Sequence, residues 1–260
     1  MNKSRIQAIL VLLSIFFLSA PSHAVPPGKD FYQIRIYRFT TNEQQQQIDQ
    51  YLKEAYLPAL HRAGIKKVGV FIPLANDTVV ARSIYVFIPY PSFEAFTKID
   101  KQLQKDAVYN ESAKKFKVAA FDHPPYERME SILLEAFEGQ KHFVLPSHKE
   151  GTVFELRSYE SPTEKLYEKK TGMFENGEIE LFKKLDFQTV FYARVISGSR
   201  MPNFMYMPSF ESLDQKNAHW KIFGADPQWK EMSSKPENEN KVSVSRIESI
   251  LMKRAEYSDL

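Results

Sequence analysis

The sequence predicts an α+β fold: two tandem ferredoxin-like (βαββαβ) halves, packed sheet to sheet as a barrel within one chain. Three observations predict it. Four short motifs recur in the same order at offsets of 117 to 122 residues. Each half runs through the same succession of period-2 and period-3.6 apolar patterns. A four-stranded sheet of this kind covers one face with its two helices and leaves the other to be buried elsewhere, and a second copy in the same chain supplies the cover.

The repeats are legible by eye. Phe31-Tyr32-Gln33-Ile34-Arg35-Ile36-Tyr37 is echoed by Val153-Phe154-Glu155-Leu156-Arg157-Ser158-Tyr159. Pro91-Ser92-Phe93-Glu94 is echoed by Pro208-Ser209-Phe210-Glu211, Asp106 and Tyr109 by Asp226 and Trp229, and Glu130-Ser131-Ile132-Leu133 by Glu248-Ser249-Ile250-Leu251. The chain divides accordingly into a signal segment (1–24), a first half (25–137), a linker containing Gly, His and Lys (138–151) and a second half (152–260).

The elements follow in order. Residues 31–38 alternate and are rich in aromatic and β-branched side chains, a strand. Ile48, Tyr51, Leu52, Ala55, Tyr56, Ala59 and Leu60 form a helical stripe that Pro58 is expected to kink or end near Leu57, with Gly64 as the C-terminal cap. Runs at 66–74 and 79–88 read as strands about an Asn76-Asp77 turn. Ser92 is a natural N-cap for a helix whose apolar face is Phe93, Phe96, Ile99 and Leu103, and Arg128–Leu134 closes the half. The second half reads the same way at 153–159, 163–184, 187–197, 203–208, 209–222 with a short helix near 227–233, and 241–253.

The first residues predict export. Lys3 and Arg5 precede an apolar stretch of 13 residues, Ala8 to Ala20, too short for the ~20 residues of a bilayer-spanning helix. Pro21 and then Ser22-His23-Ala24 place a cleavage point before Val25, which leaves a periplasmic or secreted protein with no stable membrane insertion. The whole chain has 35 basic and 32 acidic side chains, and two of the basic ones leave with the signal. So near-neutral a mature chain gives no electrostatic reason to expect nucleic acid as a partner.

Other chemistries are excluded by what is missing. Without cysteine there are no disulfides, thiol nucleophiles or Cys-ligated metals. The nine glycines form no phosphate-binding loop, and no histidine is spaced for metal: His142 and His148 fall in the linker. Gly198-Ser199-Arg200 lacks the pattern of a nucleophile elbow. Asn76-Asp77-Thr78 and Asn110-Glu111-Ser112 match the glycosylation pattern, which matters only in a eukaryotic secretory pathway.

Glu155-Leu156-Arg157-Ser158-Tyr159, Pro208-Ser209-Phe210-Glu211 and Ala225-Asp226-Pro227-Gln228-Trp229-Lys230, taken together and in order, resemble the NIPSNAP family. The resemblance is best over 152–257 and weaker over 31–137, where Tyr109 stands for the tryptophan and Asp-Pro is absent. It implies a tandem, pseudo-dimeric version of the dimeric α/β barrel. It implies little chemistry, because relatives in that superfamily include haem enzymes, cofactor-free monooxygenases and isomerases.

Alternation then nominates a site. Tyr32, Ile34 and Ile36 share one face of the first strand, and Gln33, Arg35 and Tyr37 the other. With the apolar face against the helices, Arg35, Tyr37, Arg157 and Tyr159 would point between the sheets, with Arg35–Glu130 and Arg157–Glu248 as cross-strand pairs. The functional reading is an inter-sheet cavity for a small polar or anionic ligand; the structural one is a set of charges that fixes strand register. His219, beside Trp220, joins the candidates as the residue a haem would use, although no cofactor is expected. Three functions follow: a non-catalytic small-molecule-binding protein, a cofactor-free oxygenase or isomerase, or an interaction module whose outer helices bind another protein.

Overall fold

Residues 28–146 and 149–260 are described by the structure, a computed structural model. The expected signal segment, its cleavage point and His148 lie outside the described residues. Strand β1 (Phe31–Phe39) leads into α1 (Asn42–Tyr51), which passes through a π turn at Leu52–Tyr56 into α2 (Leu57–Arg62). Thr41 starts α1 with a capping box: its hydroxyl accepts from the Gln44 amide, and the Gln44 side chain accepts from the Thr41 amide. Pro58 neither ends nor breaks the helix. It falls in the first turn of α2, directly after the π turn, where a missing N–H is least felt. Gly64, at φ +97°, closes α2 as expected, and the Ile65 amide reaches back to the Leu60 carbonyl.

The first half continues through β2 (Gly69–Pro73), β3 (Arg82–Tyr90), α3 (Phe93–Lys105), α4 (Ala107–Ser112), α5 (Lys114–Lys117) and β4 (Arg128–Ala136). The second comprises β5 (Val153–Glu160), α6 (Glu164–Met173), a π turn at Phe174–Glu178 and α7 (Ile179–Lys184). It goes on through β6 (Gln188–Ser197), β7 (Asn203–Phe210), α8 (Leu213–Ala225), α9 (Pro227–Ser233), α10 (Asn240–Ser243) and β8 (Arg246–Arg254). A π turn thus interrupts the first long helix of each half at the same place.

One sequence match is out of step. Pro208-Ser209-Phe210 belongs to β7 and not to a helix start. Ser212 is the N-cap of α8, its hydroxyl accepting from the Gln215 amide as that of Ser92 accepts from Ala95. Ser92 therefore corresponds to Ser212, and the similar letters at Ser209 are a coincidence. Asp106 and Asp226 do correspond: each caps the following helix through its carboxylate.

All strand pairs are antiparallel, and they close into one barrel in the order β1-β3-β2-β8-β5-β7-β6-β4. Each half contributes four consecutive strands, and the joints are β2 to β8 and β4 to β6. Closure removes every exposed edge. The interior is packed: the Tyr32 ring lies 5.1 Å from Phe87 and 5.4 Å from Phe191, and Phe71 lies 4.7 Å from Phe154. Two further cores lie outside the barrel wall, each between one half's strands and its helices. After β8 the chain folds back on β2. The Asp259 carboxylate accepts from the Val68 amide at 2.8 Å and meets His61 Nε2 at 2.7 Å, and Leu260 is buried in the barrel. Gly69 makes room for this, since a Cβ there would come within 2.5 Å of the Phe71 ring and 2.9 Å of Leu260.

Candidate functional site

The faces of the strands are the reverse of the expected ones. Tyr32, Ile34, Ile36, Phe154 and Leu156 line the barrel interior, while Tyr37 and Tyr159 belong to the layers beneath the helices. Arg35 and Arg157 go with their tyrosines. Both faces of each sheet are buried, one by helices and one by the other sheet. Alternation separates the two faces but does not say which layer covers which. Among the described residues the Arg/Tyr pairs face the helix layers and not the space between the sheets, which is filled by aromatic and aliphatic side chains.

The proposed cross-strand pairs fail for a related reason. Arg35 stands opposite Ser131 and Arg157 opposite Ser249. Glu130 and Glu248 lie one residue away, opposite Ile36 and Ser158, and so on the other side of the sheet. There Glu130 pairs with Arg38, and Glu248 with Arg200 at 2.6 Å and Arg246 at 3.3 Å. With Arg38 and Arg200 they line a recess of about 30 Å³ at one end of the barrel, room for little more than a water molecule.

In the second half, both terminal nitrogens of Arg157 are engaged. Its Nη1 donates to Glu155 Oε1 at 2.6 Å and its Nη2 to the Tyr159 hydroxyl at 2.8 Å. Glu155, itself 1% exposed, also accepts from Ser249 Oγ at 2.7 Å and from Trp220 Nε1 at 2.6 Å. The Trp220 ring covers the guanidinium at 4.5 Å. This is a closed ion pair with an indole roof.

In the first half the same position is open. Gln33 takes the place of Glu155, donating to Ser131 Oγ at 2.8 Å and accepting from the Tyr90 hydroxyl at 3.1 Å. Arg35 lies over the Tyr56 ring at 4.9 Å; its Nε, like that of Arg157, is buried without a partner. The one described carboxylate within ion-pair distance is Asp100, at 3.7 Å, whose side chain is 74% exposed. Arg35 forms the wall of a cleft of about 480 Å³, together with Tyr37, Tyr51, Tyr109, Phe116, Lys117 and the loop from Ala119 to Tyr126. The π turn brings Tyr51 and Tyr56, five residues apart, into a stack at 5.6 Å. The Tyr51 hydroxyl meets that of Tyr109 at 2.8 Å. Burial raises the phenols of Tyr37, Tyr51, Tyr56 and Tyr109 above their ordinary value, against the pull of Arg35 on three of them. At neutral pH they are protonated and able to donate.

Two residues that matter electrostatically escaped the sequence reading. Lys170 and Glu178 are 1% and 3% exposed, at the repeat positions of Ile48 and Tyr56. Burial lowers the lysine and pushes the glutamic acid up to about 7, each opposed by the other's charge. The Lys170 ammonium lies 5.6 to 5.9 Å from the rings of Phe174, Trp229 and Tyr159. The signal was present in the repeat: a lysine and a glutamate stand where the first half has core residues.

His219 stands apart from Arg157 and Tyr159. Its Nδ1 meets the Gln215 carbonyl at 2.9 Å, and its ring packs on Phe187 and Phe210. The pocket it faces is walled largely by Asp186, Gln188, Glu211 and Gln215, polar groups that do not fit the flat apolar face of a haem. Among the described residues, no group of three or more His, Asp or Glu is placed to hold a metal ion. No helix among them is long and apolar enough to cross a membrane. Asn76 is buried and donates to the Ser83 carbonyl, so its side chain is not presented for glycosylation.

A closed eight-stranded antiparallel barrel with helices outside it is the architecture of the dimeric α/β-barrel proteins, formed here within one chain. Residues 154–259 match the NIPSNAP family model. No curated protein matches the chain. Among solved structures, the chain is similar to a candidate monooxygenase from Lactobacillus acidophilus NCFM at 12% identity and a TM-score of 0.56, over 87% of this chain and 94% of that one. A candidate monooxygenase from Fusobacterium nucleatum is similar at 8% identity and a TM-score of 0.57, over 87% and 93%. An anthrone oxidase-like protein is similar at 10% identity and 0.53, over 87% and 92%. At such identities the likeness concerns the fold.

Proposed function

We propose that this is an exported protein with two NIPSNAP-like halves that binds a small molecule in the first-half cleft, between the sheet and the helices. One observation carries the reading. Arg35 is a largely buried guanidinium whose one described counter-charge, Asp100, is exposed and 3.7 Å away, and it faces an open, tyrosine-lined space of ligand size. The barrel interior, where the site was first expected, is filled. Export rests on the sequence of residues 1–24 and is tested by N-terminal sequencing of the mature protein: a start at Val25 supports it, and a start at Met1 contradicts it.

Native mass spectrometry of protein purified from its exported fraction, followed by a denatured run, tests the cleft. The reading expects a mass excess that disappears on denaturation and is absent from an Arg35→Met variant. An excess retained by that variant would place the ligand elsewhere.

A further inference from the structure

We infer that the first-half cleft takes an organic carboxylate with an aromatic or similarly flat apolar body, one per chain, and that the Glu155–Arg157 pair is the built-in counterpart of that complex. The inference rests on the cleft reading above and gives it a ligand class.

The comparison of halves supplies the argument. Beneath the second half's helices, a buried carboxylate pairs with the guanidinium: Glu155 meets Arg157 at 2.6 Å, with Ser249 and Trp220 holding its two oxygens. The first half retains the arginine, the following tyrosine and the serine, but Gln33 replaces the glutamate and cannot carry its charge. Asp100 stands at the repeat position of Trp220, counted from Ser92 and Ser212, so the guanidinium has no indole over it and meets instead an exposed carboxylate at 3.7 Å. A buried cation whose one described carboxylate is exposed and 3.7 Å away is weakly compensated, and a carboxylate entering from solution completes the pairing as Glu155 does internally. Lys117, with its ammonium 5.2 Å from the Tyr109 ring, adds positive charge to the same cleft.

The rest of the cleft describes the body of the ligand. Tyr51, stacked between Phe116 at 4.0 Å and Tyr56 at 5.6 Å, lines the cleft with Phe116 and Tyr126, an aromatic wall for an apolar body. Phe121, on the loop that forms the outer wall, is 97% exposed, an aromatic ring without cover. The second half has no room for an equivalent guest, because Trp220 packs against Phe182, Phe187 and Phe223.

The test is calorimetric titration of the mature chain with 4-phenylbutyrate, its neutral amide and inorganic phosphate. The expected result is one phenylbutyrate site per chain, with the amide and phosphate at least tenfold weaker. Gln33→Glu, which supplies Arg35 with the second half's counter-charge, and Arg35→Met should each weaken phenylbutyrate at least tenfold without loss of the circular dichroism of the fold. Equal binding of acid and amide would overturn the carboxylate assignment and leave the cleft standing. Phosphate binding as tight as phenylbutyrate would overturn the apolar body. Two sites per chain, or a Gln33→Glu variant that binds as tightly as the parent, would overturn the counterpart relation. Failure of both aryl compounds to bind would overturn the cleft reading as well.

Discussion

Gln33 and Glu155 hold the same station in the two halves: each lies two residues before the arginine and is bonded to the serine opposite that arginine, Ser131 in one case and Ser249 in the other. One atom's difference in side-chain chemistry separates a closed ion pair from a guanidinium whose one described carboxylate, Asp100, lies exposed at 3.7 Å. The fold tolerates both, because the surrounding strands and helices are the same.

The pair in the second half should be costly to break from one side. Glu155→Gln leaves Arg157 buried without its counter-ion, and unfolding in denaturant should show a loss of about 3–5 kcal/mol. Trp220 emission should shift as well, since its indole loses a charged acceptor. A loss under about 1 kcal/mol would show that the pair does not bear on stability.

Lys170 and Glu178 should behave as a unit. Lys170→Met alone removes the charge that opposes the burial of Glu178 and should destabilise the fold, whereas Lys170→Met with Glu178→Gln should recover most of the loss. The pH dependence has a definite sign. Glu178 is raised from 4.5 to about 7, so its contribution to stability is fully present below pH 4.5 and is lost as pH rises through 7. Thermal melts of the parent should show that decline, and Glu178→Gln should remove it; an unchanged slope in the variant would contradict the assignment.

Both halves, their element order and the Arg/Tyr strand motif were legible in the sequence because each rests on local pattern: period, caps and repeats. Ser92 caps a helix as its position suggested, and the matched Asp106 and Asp226 hold equivalent places in the two halves. What failed was non-local. Which sheet face the helices cover depends on how the two halves close, and that choice moved Arg35 and Arg157 from the interior to the outer layer. Register by one residue sent Glu130 and Glu248 to the opposite face from their intended partners. The return of the chain after β8 left no periodic signal, because it is held by single contacts of Ser258, Asp259 and Leu260 with β2 and the barrel.

That return segment should be a structural element in its own right. Leu260→Ala removes a fully buried side chain and should cost about 2–5 kcal/mol. Phe121→Ala, at an almost wholly exposed ring, should stay within about 0.5 kcal/mol of the parent. Equal melting temperatures for the two variants would contradict the burial argument.

Alkaline pH should unfold the protein before its core tyrosines ionise. Burial raises Tyr32, Tyr51, Tyr56, Tyr90 and Tyr206 above the ordinary value of 10.0, so the stability they contribute is whole below pH 10 and is lost as pH climbs toward their folded values. Tyrosinate absorbance from these rings should therefore grow only in step with loss of circular dichroism. Complete tyrosine titration near pH 10 in a still folded protein would contradict this.

Hydrogen exchange with and without saturating 4-phenylbutyrate tests the central claim, that the open half and not the closed one receives a ligand. New protection is expected in α1, α4, α5 and the loop from Ala119 to Tyr126, with β5 and α8 unchanged. Protection centred on Glu155, Arg157 and Trp220, with the first-half helices unaffected, would contradict it.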